Sequence, residues 1–136
     1  MPSRDAAALS IAPVAVVADD DAVTRRVLTL LLQRQGYHVL VAVDGEGALR
    51  HVRESRPAVV FLDARMPAPD GYEVCRTIRA EHPVDAQPHV TMITAAGQDD
   101  DRKRAGEVGV DEFLTKPFSP SHLSAQLRAV RGGSRS

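Results

Sequence analysis

Asp63 closes the apolar run Ala58, Val59, Val60, Phe61 and Leu62, and is followed by Arg65-Met66-Pro67 and Asp70-Gly71, residue types that break regular structure and make a loop. A carboxylate is thereby carried on the C-terminal edge of a strand. The arrangement recurs, because Asp19, Asp20 and Asp21 follow the run Val14 to Ala18, while Thr94 and Lys116 close two later runs. In an open α/β sheet those edges line one crevice. Carboxylates crowded into it repel one another and need a counter-ion. Mg²⁺ answers that need, since it takes oxygen ligands and is commonly held by one or two carboxylates together with phosphoryl oxygens. The Lys116 ammonium and the Thr94 hydroxyl complete a set suited to receiving a phosphoryl group.

The elements that must position these groups are legible as a pattern. Five short apolar runs, at 14–18, 38–42, 58–62, 89–94 and 111–115, alternate with segments of helical period, as in a parallel sheet with helices on both faces. Val23, Val27, Leu30 and Leu31 recur at helical spacing and predict the buried face of a first helix, ended by Gly36. A second helix follows Asp44-Gly45 and stops before Pro57, and a third takes Asp70 as N-cap, buries Val74, Cys75 and Ile78, and stops before Pro83. The fourth, at 98–108, carries Asp99, Asp100, Asp101, Arg102, Lys103, Arg104 and Gly106; with so little apolar face it is expected to be the least stable element. A fifth starts at Ser119 with Pro120 in its first position and buries Leu123, Leu127 and Val130. Residues 1–13 and 131–136 read as flexible tails around one domain at 14–130.

Composition narrows the function classes. A chain of 136 residues, 43% apolar, suffices for one domain with its own core. Seventeen basic against eighteen acidic residues leave a net charge of -1, which exerts no overall pull toward nucleic acid or an anionic membrane, so partners must be chosen by local patches. The single Cys75 excludes an internal disulfide, no Cys/His cluster has zinc spacing, and no segment has signal-peptide or membrane-spanning character, all of which fits a cytoplasmic protein. Only Lys103 and Lys116 break an otherwise all-Arg basic set, which singles out Lys116 as a compact point charge.

In order, Asp19-Asp20, Asp63 with Met66-Pro67 and Asp70-Gly71, Thr94-Ala95, Gly109-Val110-Asp111-Glu112-Phe113 and Lys116-Pro117-Phe118 resemble the receiver domains of two-component response regulators. The resemblance implies an α/β fold, a (βα)5 flavodoxin-like doubly wound sheet of five parallel strands in the order 2-1-3-4-5. It implies that Asp63 takes a phosphoryl group from a phosphohistidine of a sensor histidine kinase or phosphotransfer protein. Mg²⁺ would be held by Asp20, Asp63 and the backbone carbonyl of Arg65, with Asp19 acting through water. Lys116 would bind Asp63 before transfer and the phosphoryl group after it. Thr94 and Phe113 would form the switch, acting on the face made by the fourth helix, fifth strand and fifth helix, whose opposite charges could support a homodimer. Phe113 stands where many members carry Tyr, so the switch must work by ring burial. Arg65 and Ala96 occupy the positions that tune phosphoryl lifetime in this family. The implied role is a signalling domain, alone or at the front of a longer regulator, and not a turnover enzyme. The alternative is a Mg²⁺-dependent phosphohydrolase of the haloacid dehalogenase type with Asp19 as nucleophile, since Asp19-Asp20-Asp21-Ala22-Val23 satisfies that family's opening motif. Residues 117–136, however, contain no Asp or Glu, and such enzymes need an acidic pair beyond the lysine.

Overall fold

The computed structural model describes residues 12–95 and 99–129, the side chains at 99–102, 105, 122, 127 and 129 excepted. Strands β1 (Val14–Ala18), β2 (His38–Ala42), β3 (Val59–Asp63), β4 (His89–Ala95) and β5 (Glu112–Lys116) form one sheet in the order β2-β1-β3-β4-β5. Every pairing is parallel. Helices α1 (Ala22–Arg34), α2 (Gly45–Ser55), α3 (Gly71–Glu81), α4 (Asp99–Val108) and α5 (Pro120–Ala129) alternate with the strands, and a 3₁₀ turn at Val84–Ala86, without a clear sequence signal, leads into β4. The architecture is the doubly wound sheet expected above.

Strands β3 and β5 each sit one residue later than expected and β4 runs one residue further, and two of these shifts matter for the chemistry. β3 takes in Asp63 and β5 takes in Lys116, so both are registered in the ladder, Asp63 opposite Ile93 and Lys116 opposite Ala95. Just ahead of β1, the Pro13 carbonyl accepts from the His38 N–H at 2.8 Å. Residues 1–11 and 131–136 of the two tails, and the expectations made for Ala96, Leu127 and Val130, fall outside the described residues or side chains.

Side chains alternate across a strand, so each strand feeds two cores. One, between the sheet and α2, α3 and α4, gathers Val16, Val60, Leu62, Leu49, Ile78 and Val108 among others; the second, beneath α1 and α5, gathers Val17, Phe61, Leu28, Leu32, Ile93, Leu114 and Leu123. Truncating one of the fully buried residues, Leu62 for instance, should cost about 2–5 kcal/mol.

The face predicted for α1 is rotated in the structure. Thr24, Leu28, Leu31 and Leu32 are buried, whereas Val23 is 69% and Leu30 47% exposed. Apolar residues occupy two overlapping stripes of this helix, and the stripe carrying both Leu28 and Leu32 inserts the larger branched side chains into the sheet. Helix starts follow the expected chemistry. Asp21 caps α1 through Val23 N, Asp44 caps α2 through Gly47 N, and Asp70 forms a reciprocal capping box with Glu73 at 2.9 Å in both directions. α4 is the sparsest helix: of its described side chains only Val108 is buried, and Arg104 ties it to α3 by a 3.4 Å ion pair with Asp70 and by stacking 4.2 Å from the Tyr72 ring centroid.

Candidate functional site

Register and pleat assemble the site. Ala18 lies opposite Leu62, so Asp19 and Asp63 emerge together from the paired ends of β1 and β3. Asp19 continues the phase of Ala15 and Val17, Asp63 that of Val59 and Phe61, and Lys116 that of Leu114, all of which face the core beneath α1 and α5. The opposite phase holds Thr94 and Phe113, because Met92 is registered with Phe113 and Thr94 with Thr115, and both Met92 and Phe113 pack on the α3 side. One sheet edge thus presents acids and ammonium on one side and the Thr94–Phe113 pair on the other. Thr94 is 4% exposed, and Phe113 is only half-buried.

Asp19 is fully buried. Its N–H donates to Ala42 O at 3.2 Å, its Oδ1 accepts from Asp21 N at 2.8 Å, and its carbonyl accepts from Arg25 Nη1 at 2.8 Å. Lys116 Nζ comes within 3.1 Å of Oδ2, but the contact aligned for hydrogen bonding is the longer one to Oδ1, at 3.5 Å. The pair is therefore held by charge more than by a directed bond, and Oδ2 is buried without a hydrogen bond. Asp63, 7% exposed, accepts from Arg65 N at 3.0 Å. Burial pushes its carboxyl up to about 6; the Arg65 N–H and the Lys116 charge oppose the rise, and neighbouring Asp19 adds to it. Asp20 is exposed, and its side chain forms no hydrogen bond or ion pair among the described residues.

Carboxylate oxygens of Asp19, Asp20 and Asp63 all lie within 4.8 Å of one another. Among the described residues three acids face one ammonium there, and the buried Asp19 Oδ2 has an ion pair but no hydrogen bond. An all-oxygen donor set with surplus negative charge suits Mg²⁺, so the residues present fit the ion. The lysine departs from the family expectation, pairing with Asp19 instead of Asp63. The more deeply buried carboxylate has the greater need of the counter-charge.

The loop after Asp63 is packed tightly. A methyl group at Gly71 would collide with Asp63 O and lie 2.9 Å from Met92 Sδ, so only glycine fits where α3 begins under the acid. Two supports were not evident from the sequence. Thr24 reaches back to Asp21 Oδ2 at 2.7 Å, and with the Val23 N–H this keeps the Asp21 carboxyl below its ordinary range. Arg25 bonds the Asp19 carbonyl. A helical Arg is usually a solvated surface charge, and only the fold shows what lies within its reach.

These features agree with the comparisons to known proteins. The chain belongs to the response regulator receiver domain family, whose model matches residues 15–128. It is 43% identical over 115 residues to "Probable transcriptional regulator ycf27" of Guillardia theta, covering 85% of this chain and 44% of that one. It is 41% identical over 121 residues to transcriptional regulatory protein AfsQ1 of Streptomyces coelicolor, covering 88% and 52%. The chain thus spans about half the length of the curated relatives it matches. Among solved structures, the chemotaxis response regulator CheY4 of Vibrio cholerae aligns with a TM-score of 0.77 at 28% identity, over 87% of this chain and 98% of that one. The haloacid dehalogenase alternative finds no support in these matches.

Proposed function

We propose that this receiver domain takes a phosphoryl group onto Asp63 from the phosphohistidine of a sensor kinase or phosphotransfer protein, with Mg²⁺ held by Asp20, Asp63 and the Arg65 carbonyl, and with Asp19 acting through water. The carrying observation is the corner of three close carboxylates served by a single ammonium. A carboxylate oxygen of Asp63 forms the new O–P bond as the N–P bond to the donor imidazole breaks, and the electron pair leaves on the imidazole nitrogen. With its carboxyl at about 6, Asp63 is mostly ionised, hence nucleophilic, at neutral pH. Bound Mg²⁺ supplies charge neutralisation to the acids and the incoming phosphoryl oxygens. Lys116 shifts from Asp19 toward a phosphoryl oxygen. The donor's approach is served by an open crevice of about 510 Å³ beside the acids, lined by Val23, Val27, Pro117, Phe118 and Pro120, with Lys116 also on its wall.

The added charge then draws Thr94 toward Asp63 and lets Phe113 settle deeper, repacking α4, β5 and α5. A coupling of about 1–3 kcal/mol suffices for a useful population shift. A homodimer through this face would rely on exposed Lys103, Glu107 and Arg128, because Arg104 is engaged by Asp70 and Tyr72, Asp111 by Arg79, and Glu112 by His89 and Gln126. Among the described residues no helix is long and apolar enough to cross a membrane, and a cytoplasmic signalling role without direct nucleic-acid contact by this domain fits the balanced charge.

Intact mass after incubation with acetyl phosphate and Mg²⁺ tests the assignment. Wild type should gain one phosphoryl group, mapped to Asp63, and Asp63→Asn should gain none. Undiminished labelling of Asp63→Asn would reject the acceptor.

A further inference from the structure

We propose that Arg25 is a positioning residue for the metal ligands: its guanidinium clamps the peptide that carries Asp20. The inference rests on the Mg²⁺ reading above. Asp20 is the exposed member of the acidic cluster, and its side chain has no partner among the described residues, so its backbone must place it. On the N-terminal side that backbone is held at Asp19, through Asp19 N to Ala42 O and Asp21 N to Asp19 Oδ1. On the C-terminal side Asp21 is anchored as the α1 cap by Val23 N and Thr24 Oγ1. The peptide plane between Asp19 and Asp20 could still swing. Arg25, one turn into α1, stops it by donating from Nη1 to Asp19 O at 2.8 Å. Because the contact fixes the Asp19 carbonyl, it also fixes the N–H and Cα of Asp20 in the same rigid peptide unit.

Charge and geometry make opposite predictions here. Arg25 places a cation beside a site meant for a cation, so simple electrostatics says that removing it should strengthen Mg²⁺ binding. A clamp says that removing it should weaken binding, by about tenfold if it behaves like other outer supports of metal ligands. Arg25→Lys keeps the charge but, with a shorter stem and no terminal Nη1, moves the donor away from the Asp19 carbonyl. A clamp therefore predicts that Lys also binds Mg²⁺ more weakly than wild type, whereas charge alone predicts no change.

Calorimetric Mg²⁺ titration of wild type, Arg25→Ala, Arg25→Lys and Asp20→Ala decides the matter, with circular dichroism melts showing that each variant is folded. Amide NMR shifts of Asp20 without metal give a second readout, expected to move in both Arg25 variants. Weakened binding by Arg25→Ala and Arg25→Lys supports the clamp; should Arg25→Ala not fold, the Lys variant carries the test alone. Wild-type or tighter binding in the folded Arg25 variants, with Asp20→Ala still impaired, overturns the clamp and leaves the metal reading intact. No Mg²⁺ binding by wild type, or none lost in Asp20→Ala, overturns both.

Discussion

The two ends of the sheet both collect charge, and they handle it in opposite ways. At the N-terminal end, Arg79 engages four of its five guanidinium N–H groups: Nε donates to Gly109 O, Nη1 to Gln87 Oε1 and Pro88 O, and Nη2 to Asp111 Oδ2, all at 2.7–2.9 Å. Asp111 Oδ2 in turn accepts from Val90 N, and close by His89 meets Glu112 at 3.0 Å. At the C-terminal end, among the described residues, three carboxylates lie beside one lysine, and the buried Asp19 Oδ2 has an ion pair but no hydrogen bond. The buried side-chain atom without a hydrogen bond at the N-terminal end, Gln126 Oε1, is neutral, so the shortage of positive charge lies at the other end. A deficit that the protein itself does not fill marks where something else is meant to bind.

The sharpest way to break the comparison is Arg79→Met. It deletes four hydrogen bonds that tie α3 to the loops before β4 and β5, and should cost about 3 kcal/mol in urea denaturation. Mg²⁺ affinity should stay as in wild type; a parallel loss would mean the two ends are not independent.

Asp63→Asn tests the deficit itself. The folded carboxyl is raised from 3.8 to about 6, so the stability it contributes is fully present below 3.8 and is lost as pH rises through about 6. At pH 7 in EDTA the charged Asp63 therefore burdens the fold, and Asp63→Asn should melt higher than wild type, by roughly 2–6 °C. Mg²⁺ should raise the wild-type midpoint more than the mutant's. A mutant that melts lower in EDTA would show that the corner is not short of positive charge.

Arg104→Ala sharpens the comparison at its edge, where α4 leans on Asp70 and Tyr72. The contact is exposed, so the loss should stay below about 1 kcal/mol and should be confined to faster amide exchange within α4. Global acceleration would assign Arg104 to the core scaffold.

The strands and the acidic corner were legible because both depend on short-range order: an apolar run predicts a buried parallel strand, and whatever follows it falls on one edge. Asp19, Asp20, Asp63 and Lys116 could thus be grouped from residues far apart in sequence. What escaped depended on competition between equals. In α1, Val23, Val27, Leu28, Leu30, Leu31 and Leu32 offer more apolar surface than one face can bury, and the sheet chose among them. Arg25, Arg79 and Arg104 look alike in sequence, yet one braces the acid loop, one closes the far end of the sheet and one stacks on a tyrosine. The partner of Lys116 was likewise decided by depth of burial, which spacing does not encode.

The close approach at Gly71 sorts the moving parts of the molecule. With the α3 backbone against the Asp63 carbonyl and against Met92, that helix cannot slide over β3 without dragging Asp63 along. On the proposed reading, a disturbance at Asp63 would meet a close-packed flank here and a more lightly anchored one at α4. A missing methyl group would thus act as a one-way valve for mechanical strain.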